Sequence, residues 1–200
     1  DTLFDVLAAS VAALTRGPRA LLLGFAGGGM IAPMRAMGFA HPIEAVDLSL
    51  EGEPVFRDLS APWCGAVEVH EAEASAFLRA SRRRYDVIVE DLSAMLPGGV
   101  TKPPVSLDVL PELMQARLAP RGVVVVNVLP VPGMPWTRLL PQLAAPYRQA
   151  RVIVLEEWEN RVLLLGDELE SAREISRILR RLLAGIDSAE ADALSVRTLH

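Results

Sequence analysis

Cysteine is almost missing from this chain of 200 residues: Cys64 stands alone. No disulfide framework can form within it, which fits a reducing, cytoplasmic compartment. A single thiol after Trp63 reads as a small half-buried filler rather than a nucleophile. No apolar run approaches membrane-spanning length, so a membrane association is not expected. The opening residues carry no positive stretch followed by an apolar one, so no signal peptide is read there. The chain opens on Asp1 without Met, which is compatible with an upstream segment. Positive charge is scarce too: the net charge is −5, and Arg82, Arg83 and Arg84 form the one basic triplet. Nonspecific nucleic-acid binding relies on clustered Lys and Arg, so nucleic acid is not an expected partner. Disorder is excluded by the 51% of apolar residues, enough for one full-sized core.

What is present alternates. Residues 2–15 carry Leu3, Phe4, Leu7, Val11 and Leu14 at helical spacing, and Gly17-Pro18 stops that helix. Residues 20–24 read as a buried strand of parallel type, 30–37 as a crossover helix with Pro33 in its opening turn, and 43–48 as a second strand. A short helix over 51–59, a strand over 66–70, a helix over 73–82 and a strand over 85–90 follow. Residues 95–104, rich in Gly and Pro, read as an irregular loop that could serve as a lid. A helix over 107–118, a strand over 122–129, a Pro-rich loop over 130–135 and a helix over 137–143 come next. Residues 151–156 and 161–166 read as an antiparallel hairpin, and 168–183 as a charged amphipathic helix. Strands alternating with helices imply a mostly parallel sheet covered on both faces. The fold class is therefore α/β, Rossmann-like: seven strands, mostly parallel, with a C-terminal antiparallel hairpin. One domain over 1–185 is expected, with 186–200 as a frayed tail or last short helix.

The chemistry concentrates at strand ends. Ala-Leu-Leu-Leu-Gly-Phe-Ala-Gly-Gly-Gly at 20–29 is an apolar run ending in a glycine-rich turn. Glycines let backbone approach a ligand closely. The second apolar run, Ile-Glu-Ala-Val-Asp at 43–47, stops on a carboxylate about twenty residues after the turn, where an acid can accept bonds from ribose hydroxyls. This is the pattern of an α/β protein that holds a nucleoside.

Four segments in order resemble the spermidine-synthase-like branch of class I S-adenosylmethionine-dependent methyltransferases. Leu-Leu-Gly-Phe-Ala-Gly-Gly-Gly-Met at 22–30 is similar to the branch's G-x-G-G-G run, with Ala26 where the second Gly is usual. Ala45-Val46-Asp47-Leu48 resembles the ribose-holding strand end, where Glu is the commoner acid. Glu71 to Leu78 resembles G-D-A-x-x-F-L, and Tyr85 to Asp91 resembles Y-D-V-I-x-x-D. The resemblance implies that Gly24, Ala26, Gly27 and Gly28 line the donor, and that Asp47 and Leu48 meet the ribose, Asp47 accepting both hydroxyls. It implies that Glu73 accepts from the adenine amino group while Ala74 offers its N–H, and that the catalytic Asp91 faces the sulfonium or the incoming nucleophile, to orient or deprotonate the acceptor. No metal ligand set is implied. The cofactor would be S-adenosylmethionine or its decarboxylated form. Each residue has a duller reading beside this one. Asp47 could cap the next helix, Glu73 could be a first-turn acid favoured by the helix dipole, and Asp91 could cap a turn. Glu90 reads as structural, and Met30, Met34 and Met37 as one packed helix face.

The resemblance also has gaps. Polyamine-forming members carry D-x-x-D after the fourth strand, and here the run is Asp91-Leu92-Ser93-Ala94. Ala94 cannot hold an ammonium group, and no counterpart of those enzymes' amino-terminal β-domain precedes the first helix in these residues. The leading expectation is methyl transfer to a small-molecule or protein acceptor, with a homodimer a compatible assembly. Aminopropyl transfer, a dinucleotide oxidoreductase using Gly24-x-Ala26-x-x-Gly29, and a binding module with a vestigial pocket are the alternatives.

Overall fold

The computed structural model describes residues 2–96 and 99–200. In chain order the strands are β1 (Ala20–Leu23), β2 (Ile43–Asp47), β3 (Val67–Glu71), β4 (Tyr85–Glu90), β5 (Ala94–Leu96), β6 (Gly99–Thr101), β7 (Leu118–Val128), β8 (Gln149–Leu155), β9 (Arg161–Gly166) and β10 (Leu194–Thr198). The helices are α1 (Leu3–Leu14), α2 (Ile31–Ala36), α3 (Glu53–Ser60), α4 (Ala74–Ala80), α5 (Pro104–Asp108), α6 (Leu110–Ala116), α7 (Trp136–Ala144), α8 (Ala172–Ala184) and α9 (Glu190–Ala193).

The main sheet runs β10-β8-β9-β7-β4-β1-β2-β3. β1 pairs in parallel with β2 and β4, β2 with β3, and β4 with β7. β9 returns antiparallel to β7, and β8 pairs antiparallel with β9. This is a Rossmann-like fold. All four residues of β1 are buried, as a central parallel strand covered on both faces requires. One face carries α1, α2 and α8, whose Leu7, Val11, Ile31, Met34, Ile175 and Leu179 pack on Leu22, Val87 and Val125. The other carries α4, α6 and α7, whose Leu78, Met114 and Leu139 pack on Leu21, Ile88 and Val124.

Three features depart from the sequence reading. The sheet has eight strands rather than seven, because the tail forms α9 and then β10, which pairs antiparallel with β8 from Leu194 to Thr198. It covers an edge that β8 would otherwise leave open. The stretch read as an irregular loop is ordered at both ends: β5 and β6 form a small antiparallel hairpin with Met95 opposite Val100, and α5 begins at Pro104. The two residues between the strands, Pro97 and Gly98, lie outside the described ones. Finally, the helix expected over 107–118 is two helices meeting at Val109, since Pro111 cannot donate into a continuous helical ladder. The next strand starts earlier than expected, at Leu118. Arg121 takes a left-handed φ of 63°, and the pairing with β4 shifts register there.

Along the sheet, the chain steps from β1 outward through β2 and β3, then crosses back to β4 on β1's other side. The strand order therefore reverses at β1. In open α/β sheets the crevice at that reversal, beyond the carboxyl ends of the strands, is where ligands bind.

Candidate functional site

The carboxyl end of β1 leads into a tight bend that its own neighbours hold. Gly24 has φ 93°, a conformation that L side chains rarely adopt. A Cβ there would also lie 2.7 Å from the Asp91 carbonyl oxygen. The N–H of Gly24 donates to the Val46 carbonyl at 2.9 Å, and the N–H of Asp91 donates to the Leu23 carbonyl at 2.8 Å. Thus the ends of β1, β2 and β4 are stitched to one another.

Asp47, at the end of β2, closes the bend. The N–H groups of Phe25 and Ala26 both donate to its Oδ2 at 2.7 Å, and the Ser49 N–H donates to Oδ1 at 3.2 Å. Ala26 adopts φ 49° in this grip, a left-handed conformation that costs an L residue about 1–2 kcal/mol. A Cβ at Gly27 meets no atom within 4 Å, so the chain is open to a ligand there. Gly52, just before α3, backs the bend so closely that a Cβ would overlap the Ala26 carbonyl oxygen.

These residues line one cavity of about 590 Å³, within the size range of small-molecule sites. Gly24, Ala26, Gly27, Asp47, Leu48 and Asp91 all face it, joined by Phe4, Ser49, Glu51, Gly52, Leu92 and Ser93. Three predicted residues are placed elsewhere. Gly28 turns its φ of 69° under the bend against Phe56, where a Cβ would lie 2.5 Å from the ring. Glu73 and Ala74 open α4 and are not among the residues that line this cavity. Glu73 caps that helix, accepting from the Ser75 and Ala76 N–H groups at 3.0 and 2.8 Å and from the Ser75 hydroxyl at 2.6 Å. Partial burial works against its ionisation. The Ser75 and Ala76 bonds and Arg79 outweigh it and hold the carboxyl below its ordinary range. The bidentate ribose contact that the resemblance implies for Asp47 meets a similar competitor, because two N–H groups of the bend already converge on Oδ2. A carboxylate has about four lone-pair sites, so Oδ1 is the oxygen with room for a hydroxyl.

Asp91 sits at the end of β4 beside the cavity. Burial pushes its carboxyl up, and the Glu90 charge adds to that, against a hydrogen bond from Asn127 and the charge of Lys102. Asn127 Nδ2 donates to Asp91 Oδ1 at 2.7 Å, and Asn160 Nδ2 donates to Asn127 Oδ1 at 2.8 Å. The ends of β4, β7 and β9 therefore present a row of three polar side chains with fixed amide orientations. Glu90, on the opposite face of β4, is fully buried and pairs with Lys102, itself 3% exposed, at 2.7 Å.

Sequence reasoning placed no role on Gly52, Lys102, Asn127 or Asn160. Asn127 did carry a signal: it is the one polar residue in the apolar run Val-Val-Val-Val-Asn-Val at 123–128. Lys102 carried another, as the only lysine among twenty Lys and Arg residues.

A second hollow of about 600 Å³ lies at the other end of the strands, lined by Pro18, Pro42, Ile43, Arg57 and Tyr85 among others. Most of its charges are paired, Arg19 with Asp86, Arg83 with Glu44 and Arg57 with Glu53. Among the described residues no group of three or more His, Cys, Asp or Glu could hold a metal ion, and no helix is long and apolar enough to cross a membrane.

No protein-family model matches the chain, and no curated protein does. Solved structures do. The chain is similar to human methyltransferase-like protein 13 in complex with SAH, at 22% identity over 91% of this chain and 90% of that one, with a TM-score of 0.67. It is also similar to the N-methyltransferase NodS of Bradyrhizobium japonicum (14% identity, 82% of this chain and 93% of that one, TM-score 0.57). Spermidine synthase of Thermotoga maritima matches as well, at 13% identity over 86% of this chain and 61% of that one, with a TM-score of 0.63. At such identities the likeness shows the fold.

Proposed function

We propose that this chain binds S-adenosylmethionine in the cavity at the ends of β1, β2 and β4 and transfers its methyl group to an acceptor held beside Asp91. The observation that carries the reading is the meeting of the Gly24–Gly27 bend, Asp47 and Asp91 around one cavity at the strand-order reversal. The fit is favourable on this chain's own geometry. The cavity is large enough, Gly27 is open above its Cα, and Asp47 keeps Oδ1 toward a hydroxyl. Bound S-adenosylmethionine supplies an electrophilic methyl group on a sulfonium.

The protein's part is placement and proton handling. The bend, fixed before any ligand arrives, aligns the donor, and such alignment is a large share of catalysis in an in-line displacement. Asp91 would take the acceptor's proton as the acceptor's lone pair forms the new bond to the methyl carbon, the methyl–sulfur bond breaking with its electron pair left on a neutral thioether. Its raised proton affinity suits a general base better than an ordinary carboxylate. Asn127 keeps that carboxylate turned toward the cavity. For aminopropyl transfer the chain offers Ala94 in β5 where a second carboxylate is wanted, and a buried ammonium without a partner is costly.

Thermal shift with S-adenosylmethionine, its decarboxylated form, methylthioadenosine and NAD tests the proposal, since a ligand that binds only the folded state stabilises it by RT ln(1 + [L]/Kd). Stabilisation by S-adenosylmethionine above the decarboxylated form is expected. Preference for the decarboxylated form moves the reading to aminopropyl transfer, a response to NAD alone overturns the donor, and silence with all four removes the function.

A further inference from the structure

Lys102 is the only lysine of the chain, and nineteen arginines supply the rest of the positive charge. A lone lysine on a surface would be unremarked, but this one is buried, between β6 and α5. Its Nζ stands 2.9 Å from Glu90 Oε1, 2.7 Å from Glu90 Oε2 and 2.9 Å from the Leu92 carbonyl oxygen. An ammonium is a compact point charge with three donors; this one donates to Glu90 Oε1 and to the Leu92 carbonyl, and Glu90 Oε2 adds an ion-pair contact outside hydrogen-bond geometry. A planar guanidinium has a different shape and spreads its donors over a fork.

The acceptors are the two residues that flank Asp91. Glu90 Oε1 also accepts from the Leu92 N–H at 2.9 Å and from the Ser106 hydroxyl at 3.0 Å. The backbone at Leu92 is thus held through both its N–H and its carbonyl, and Asp91 hangs between two fixed neighbours. The segment that brings Lys102 here is anchored in turn, because the Thr101 hydroxyl donates to the Pro130 carbonyl at 2.9 Å.

We propose that Lys102 is a positioning residue: by bracketing Asp91 through Glu90 and Leu92 it fixes the bend after β4 and holds the Asp91 carboxylate against Asn127. The role rests on the reading of Asp91 as the base beside the acceptor. It goes beyond that reading by assigning the alignment to a residue that is not among those lining the cavity. The charged and polar groups facing Asp91 are Asn127 from β7, Lys102 from the segment before α5, and Glu90 from its own strand.

The test uses the full chain with Glu90→Gln and Lys102→Met together, so that both buried charges leave at once and neither is stranded. NMR follows two signals, the Asn127 side-chain amide and the titration of the Asp91 carboxyl. Release of the bend is expected to move the Asn127 amide toward the position of a solvated asparagine and to drop the Asp91 titration toward the ordinary carboxylate range. A purely structural pair would lower the unfolding temperature and leave both signals in place, and that result overturns the proposal. Where the double variant does not fold, Lys102→Arg serves, since it keeps the charge. The same two shifts are expected because a planar guanidinium is larger than the ammonium that this buried site encloses, and unchanged signals again overturn it. Neither readout needs a ligand. Failure to bind S-adenosylmethionine therefore strikes the proposed function alone, while unmoved signals strike Lys102 alone.

Discussion

Replacing Asp47 with Asn separates an acid that waits for a sugar from an acid that builds the site. Two N–H groups converge on its Oδ2 at 2.7 Å. Hydrogen bonds to a charged partner contribute about 1.5–3 kcal/mol each, and neutral ones about 0.5–1.5. The amide side chain of the Asp47→Asn variant would keep one carbonyl oxygen for the Phe25 and Ala26 amides but lose the charge, so each bond weakens by about 1 kcal/mol. The Ala26 amide is exposed enough to turn to water, which discounts its share. The side-chain NH2 would also confront the Ser49 N–H, donor against donor, where Oδ1 now accepts. The net loss is about 1–2 kcal/mol. At this chain length each kcal/mol moves Tm by about 2–4 °C, so a fall of about 2–8 °C is expected. Calorimetry and urea unfolding without ligand measure it. A surface acid that only awaited a ribose would leave the unliganded stability within about 0.5 kcal/mol. That outcome would refute the clamp even if S-adenosylmethionine affinity fell.

Three further changes probe the same end of the sheet. Gly52→Ala drives a Cβ into the Ala26 carbonyl oxygen; a loss of about 1–3 kcal/mol is expected, with weakened donor binding by calorimetry, and wild-type values for both would show that the bend yields freely. Ala26→Gly relieves a left-handed alanine at φ 49°, worth about 1–2 kcal/mol, against about 0.4–1 kcal/mol of added unfolded-state entropy. A small gain in urea stability is therefore expected, and a clear loss contradicts the strain. Asp91 binds its proton more tightly when folded than when unfolded, because it is buried. Stability from this group is accordingly present at acid pH and falls as pH rises from the ordinary carboxylate range through the raised value. Asp91→Asn removes that slope and stabilises the chain at neutral pH, and unfolding curves of the two proteins that run parallel across the range would disprove it.

The half of the site at the ends of β1 and β2 was legible because it is local. A glycine turn and an acid about twenty residues on must come together if both end neighbouring parallel strands, and Gly24 and Asp47 do. Apolar periodicity likewise located every strand of the main sheet except the last. The errors have physical sources. Leu194 to Thr198 is short and half-exposed, so its pairing with β8 depends on an open edge that no local pattern announces. The hairpin of β5 and β6 lies in a Gly- and Pro-rich stretch, whose composition speaks for a turn and hides the short strands flanking it. Glu73, the acid expected at an adenine, caps α4 with both oxygens and is not among the residues that line the cavity.

Of the other half of the site only Asp91 was legible, because that half is assembled from distant segments. Asp91 follows β4, Lys102 lies in the link to α5, Asn127 is in β7 and Asn160 precedes β9, and no short window contains two of the strand ends. What joins them is a division of labour among three acids at the tips of the two strands that flank β1. Asp47 commits its charge to the bend that follows β1. Glu90 commits its charge to Lys102 and Leu92, which fixes the bend that follows β4. These two bends touch, since Gly24 has no room for a Cβ beside the Asp91 carbonyl. The remaining acid, Asp91, sits between two backbones held rigid by the other two, with its carboxylate steered by an asparagine. Two carboxylates that would be costly if stranded are thus neutralised by the chain's own amides and one ammonium. The third can keep a raised proton affinity without loosening the frame around it. Alignment that is complete before a ligand arrives draws nothing from binding energy afterwards, and that is the property a transfer reaction driven by positioning requires.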